Sequence, residues 1–166
     1  MNEKKHLQAK QSLQEGRYSD AEQIYHQIIE DDPKDADGHF YLAALQLRRN
    51  SDIEALGSIS QAIRYDPNNA RHHVAHGQIL REQKNTKAAE AAFEKALAIE
   101  PDNGDAFTNL GGMFFEVGRY EDAEFTLRKA LFYHPKHTPA ANQLGRALLR
   151  LYRVEEAVSL FHAVLH

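Results

Sequence analysis

In the segment ARHHVAHGQIL, residues 70–80, the histidines His72, His73 and His76 fall within a few positions of one another. On a helix, His72 and His76 stand one turn apart on one face, the spacing that brings two imidazoles onto one metal ion. Two imidazoles leave a structural metal site short of ligands, and the chain has no cysteine to complete it. The segment is therefore either an incomplete metal site or a set of buried, hydrogen-bonded histidines. The choice depends on which helix face carries them.

The bulk composition narrows the chemistry further. Without cysteine there are no disulfides and no thiol catalysis. Twenty Lys and Arg stand against 24 Asp and Glu, for a net charge of -4. The two signs are interspersed along the chain, so no basic face for nucleic acid is expected. The N-terminal stretch MNEKKHLQAKQSLQEG lacks the apolar core of a signal peptide, and no run approaches the ~18 apolar residues of a membrane span. These features predict a cytoplasmic chain with no membrane or nucleic-acid partner. A hydrophobic content of 42 % suffices for a core. Charged residues at 27 % and a mean hydropathy of -0.62 imply much solvated surface and an elongated form. No G-x-S-x-G elbow, P-loop, H-E-x-x-H or glycine-rich strand-to-helix turn is present. No catalytic residue, cofactor or metal is expected, and the chain does not read as an enzyme.

What must position the histidines is a repeat. Pro33, Pro67, Pro101 and Pro135 recur every 34 residues, as do Ala21, Ala55, Ala89, Ala123 and Ala157. Gly77, Gly111 and Gly145 keep the same step, and so do the bulky residues Tyr25, Ile59, Phe93, Leu127 and Phe161. This predicts one array over residues 1–166, with repeats 2–35, 36–69, 70–103, 104–137 and an incomplete 138–166. Within the fourth repeat, Phe107, Leu110, Gly111 and Phe114 follow helical spacing, EVGRYED interrupts, and Ala123, Leu127, Ala130 and Leu131 resume it. Each repeat should thus be two helices meeting at a turn. Gly16 and Gly118 fall where the chain must reverse. Ser19 with Glu22 and Ser51 with Glu54 have capping-box spacing for the second helix, and Thr138 followed by Pro139 reads as N-cap and first helical residue. The prolines close each unit, and the fold class is all-α.

The set Phe107, Leu110, Gly111, Phe114, Gly118, Tyr120, Ala123, Leu127, Ala130 and Pro135 resembles the tetratricopeptide repeat family. The resemblance implies antiparallel helix pairs stacked in a right-handed superhelical array, with the first helices lining a concave groove that binds a peptide or a partner protein. The family's groove positions place Phe40, Leu47, Arg48, Val74, Gln78, Arg81, Asn109, Phe115, Arg146, Leu149 and Arg150 there. Phe40, Leu47, Val74, Phe115 and Leu149 would be the apolar anchors. The arginines would hold carbonyls or acidic side chains. The alternative for Phe40 and Phe115 is packing between repeats. The carboxylate clamp of heat-shock co-chaperones is not reproduced in any register.

Two further readings stand beside the groove. FTNLGG resembles the repeats that precede the catalytic domain of O-linked N-acetylglucosamine transferase, which would make the array a non-catalytic, substrate-recruiting N-terminal arm of a larger transferase-type enzyme. The last helix carries Val158, Leu160, Phe161, Val164 and Leu165 with nothing polar to cover them. Either the native chain continues past His166, or this helix mediates self-association. In the repeat register His73 and His76 take positions where the family pattern places bulky packing residues, and the face shared by His72 and His76 looks toward the previous repeat, so they are expected to be packed histidines rather than ligands.

Overall fold

The structure, a computed structural model, describes residues 2–165, with side chains described through Ala163. The described residues form α1 (Asn2–Gln14), α2 (Tyr18–Asp31), α3 (Ala36–Arg48), α4 (Asp52–Tyr65), α5 (Ala70–Glu82), α6 (Thr86–Ile99), α7 (Gly104–Glu116), α8 (Tyr120–Tyr133), α9 (Thr138–Arg150) and α10 (Val154–Leu165), and no strand is among them. None of these helices is long and apolar enough to cross a membrane. The chain divides into two compact units, Met1–Gln83 and Lys84–His166, so the boundary falls inside the third repeat, between α5 and α6. The side chains of Val164 and Leu165, expected at the apolar end of the last helix, lie outside the described residues.

In the first unit, α1 packs on α2, α2 on α3, α3 on α4 and α4 on α5. One core gathers Ala9, Ala21, Tyr25 and Ile28 with Leu45 of the next repeat. A second gathers Ala43, Ala55, Ile59 and Ala62 with Ile79 of the repeat after that. Each hairpin is completed by a bulky residue from its successor, which is how a quasi-one-dimensional array builds a continuous core. The second unit repeats the arrangement across α6 to α10. Its helices meet closely because one side of the contact is bare. A β-carbon on Gly111 would lie 2.6 Å from Leu127 Cγ, and one on Gly145 would lie 2.1 Å from Phe161 Cζ. Ala123 and Ala157, on the opposing helices, are buried.

The turns inside the hairpins share one geometry. Gly16, Asn50, Lys84, Gly118 and Tyr152 all have φ between 59° and 81°, in the left-handed region. The N–H of Gly16 donates to Leu13 O and that of Arg17 to Ser12 O, and the same two bonds close α3, α7 and α9. This is a Schellman closure. It corrects the expected capping of the second helices. Ser19 lies inside α2, and Ser51 occupies the N-cap of α4 without a side-chain cap bond. The N-cap residues Arg17, Ser51 and Arg119 are already bound through their own N–H to the preceding helix, and the N-caps of α2, α4, α6 and α8 have ψ of only 63–69°. Side-chain capping occurs at the first helices instead, where extended Asp35, Asn69 and Asn103 accept from Gly38, Arg71 and Ala106 N–H. Thr138 is likewise corrected. His137 is the N-cap, without a cap bond, and α9 begins at Thr138 in register with Ala36, Ala70 and Gly104.

Two stability outcomes follow. Ala123→Leu should overpack the α7–α8 contact and cost about 1–3 kcal/mol, seen as a lower thermal midpoint; an unchanged midpoint would place the contact elsewhere. Tyr152 is 92 % exposed with φ 61°, so it has strain and little packing to lose. Tyr152→Gly should stabilise by about 1 kcal/mol, measured by denaturant midpoint, whereas a loss would mean that the ring contributes more than the strain.

Candidate functional site

The first helices carry the residues expected to contact a ligand, and each unit shows its own set. In the first unit, the Phe40 ring lies 5.1 Å from Tyr41, edge-on at 78°, and 5.4 Å from His72. The Arg71 guanidinium sits 4.7 Å over Phe40 and donates to the Tyr41 hydroxyl at 3.4 Å. Tyr41 in turn stacks on Tyr25 at 5.1 Å and 10°, with Lys10 5.4 Å above its ring. Arg48, exposed at the end of α3, lies 3.8 Å over Tyr18. Leu47 is half-buried against the Ile59 core. Val74 is only 8 % exposed, which leaves little of its side chain for a ligand. Gln78 and Arg81 are partly buried and each already holds an interaction.

In the second unit, Phe115 and Tyr120 have ring centroids 5.4 Å apart, inclined at 58°. Arg146 lies 4.6 Å over Phe115 and Arg150 lies 4.6 Å over Tyr120, with Leu149 46 % exposed on the same helix. Phe115, Arg146, Leu149 and Arg150 are thus gathered along the α7–α9 face. Asn109 is drawn back into its own helix, where its Nδ2 donates to Asp105 O at 2.8 Å. Sequence reasoning missed the aromatic supports Tyr18 and Tyr120. The signal was available: Tyr18 with Arg48 recurs three repeats later as Tyr120 with Arg150.

The arginines divide by environment. The turn arginines are paired with carboxylates: Arg17 with Asp20 and Glu15, Arg49 with Glu22, Arg119 with Asp122 and Glu90, and Arg153 with Glu156 and Glu124; Arg119 also lies 4.2 Å over Phe114, and Arg81 on α5 lies 3.7 Å from Glu82. Arg48, Arg71, Arg146 and Arg150, on the first helices, lie over rings instead. Such a stack is worth about 0.5–1 kcal/mol at an exposed site and leaves the in-plane N–H donors available.

His72 and His73 bond to the loop that joins successive hairpins. His73 Nε2–H donates to Pro67 O at 2.8 Å, and His39 makes the same bond to Pro33 O at 3.0 Å one repeat earlier. His72 Nδ1–H donates to Asp66 O at 3.3 Å, with 1 % of the residue exposed. No three His, Asp, Glu or Cys side chains among the described residues converge on a common point where a metal ion could sit.

Tandem helical hairpins, closed by one recurrent turn and carrying arginine–aromatic clusters on their first helices, define a helical repeat protein. A tetratricopeptide repeat model matches residues 12–79 and 80–144, a second such model matches 53–106 and a third 140–166. The chain belongs to the tetratricopeptide repeat family. No curated protein matches it in sequence. Among solved structures it is similar to Pseudomonas aeruginosa PilF (TM-score 0.89, 22 % identity, 98 % of this chain and 74 % of that one). It is also similar to MamA (0.79, 20 %, 95 % and 92 %) and to YrrB, a repeat protein with an unusual peptide-binding site (0.68, 16 %, 95 % and 81 %). At these identities the likeness establishes the fold.

Burial pushes His72 below the ordinary imidazole range, partly opposed by its bond to the Asp66 carbonyl. Burial, then the neighbouring His73, does the same to His76. The folded state therefore takes up protons on these rings less readily than the unfolded chain. Their contribution to stability is complete above the unfolded imidazole pKa and declines as pH falls through it. The thermal midpoint should drop between about pH 7.5 and about pH 5.5, with a smaller drop in His76→Gln; parallel curves would remove the imidazoles as the cause.

Proposed function

We propose that the chain is a non-catalytic protein-interaction module that binds a peptide or partner segment along the faces of its first helices. The observation that carries this reading is the α7–α9 face, where exposed Leu149 and half-buried Phe115 lie beside two ring-supported arginines. Aromatic and arginine side chains at the centre of a contact supply most binding energy in protein interfaces. The likeness to YrrB, with its peptide-binding site, supports the reading through the fold. Affinity capture with the wild-type chain and with Phe40→Ala plus Phe115→Ala tests it, each bait first shown to retain a cooperative melt. Loss of specific partners from the variant is expected; identical partner sets would overturn the assignment of these residues.

A further inference from the structure

We propose that the α7–α9 face binds an extended peptide through two carboxylate side chains spaced one residue apart, one held by Arg146 and the other by Arg150. This rests on the peptide-binding reading above and specifies its ligand. The arginines of this chain differ in the partners they hold. This chain pairs its turn arginines with its own Asp and Glu, often across repeats, as in Arg119 with Glu90 and Arg153 with Glu124. Arg146 and Arg150 are exposed, yet neither has an ion-pair partner among the described residues, and each is held over a ring. A guanidinium stacked in this way has lost much of its rotamer freedom while its planar fork of donors stays open. It is prepared for a bidentate anion that the chain itself does not provide.

Their spacing points to the same ligand. Arg146 and Arg150 are one helical turn apart, a rise of about 6 Å. Alternate side chains of an extended peptide repeat every ~6.6–6.8 Å on one side. Acidic residues at i and i+2 therefore reach both arginines from a single strand running along α9, whereas adjacent acids point to opposite sides. Leu149, next to Arg150 on the exposed side of α9, offers apolar footing to the acidic side chains' methylenes or to a neighbouring apolar residue. The two supporting rings are inclined at 58°, so the guanidiniums above them are aimed separately. That suits two independent carboxylates better than one phosphate.

The test is selection of a displayed random-peptide library on the full chain, followed by affinities of synthetic capped peptides from the enriched set. Enriched sequences should carry Asp or Glu two positions apart. Changing either acid to its amide, with the protein left wild type, should weaken binding about tenfold, as should Arg146→Gln or Arg150→Gln in a chain with unchanged thermal midpoint. Arg150→Glu should shift selection toward Lys or Arg at one of the two peptide positions. Enrichment of peptides without paired acids, unaffected by the arginine variants, would overturn this inference while leaving peptide binding in place. Tighter binding of a phosphoserine peptide than of its Glu-x-Glu counterpart would also overturn it. Failure to enrich any peptide would overturn both readings.

Discussion

Everything in this chain depends on the approach of two helices whose contact is bare on one side. Position 8 of every repeat is Ala9, Ala43, Gly77, Gly111 or Gly145, and position 20 is always alanine. Within each unit, without β-branched or long side chains there, the backbones come near enough for one bulky residue to fill the remaining space. At Gly111 that residue is Leu127, and at Gly145 it is Phe161. The contact fixes how each hairpin closes, and the next first helix then inserts Leu45 or Ile79 into the gap left on the far side. Interior packing of this density has no slack. The spacing between the two helices of a repeat thus also sets where the exposed residues of the first helices stand.

The fold was legible because the repeat makes each core from residues close in sequence, so that a register of alanines, glycines and bulky side chains reports packing directly. The helix ends were less legible, for a physical reason. Ser19 and Thr138 look like caps from their residue types, but the Schellman turn after α1 places the α2 cap two residues earlier, at Arg17, and α9 already begins at Thr138, which leaves His137 as its N-cap. The left-handed residue needed there is glycine at Gly16 and Gly118, which sequence shows. It is Asn50, Lys84 and Tyr152 elsewhere, which only the recurrence every 34 residues could have suggested.

The histidines show the same limit from the opposite side. Their one-turn spacing is a legitimate metal signal, but spacing on one helix does not say what the neighbouring loop offers. Here the loop before α5 presents the carbonyls of Asp66 and Pro67, and both rings turn to them. Because a carbonyl only accepts, each bond requires the ring nitrogen to keep its proton. A metal would have to displace that proton and break the bond to the carbonyl, which disfavours ligation at those atoms.

The candidate surface was legible by position but not by state. Repeat register identifies which side chains face outward from the first helices, yet it cannot distinguish an arginine that will be spent on a neighbouring carboxylate from one that will not. That distinction is made between repeats. A glutamate at position 21 reaches the turn arginine of the following repeat, as Glu90 and Glu124 do, while a tyrosine at position 17 lies beneath the arginine at position 13 of the following repeat, as Tyr18 and Tyr120 do. The first arrangement joins successive hairpins through opposite charges; the second joins them through an aromatic face and leaves the charge unneutralised. A chain with an overall charge of -4 that keeps guanidiniums unpaired on its first helices has concentrated its local positive potential where the repeats leave apolar side chains exposed. Those two properties together, rather than either alone, are what the proposed binding role of the α7–α9 face rests on.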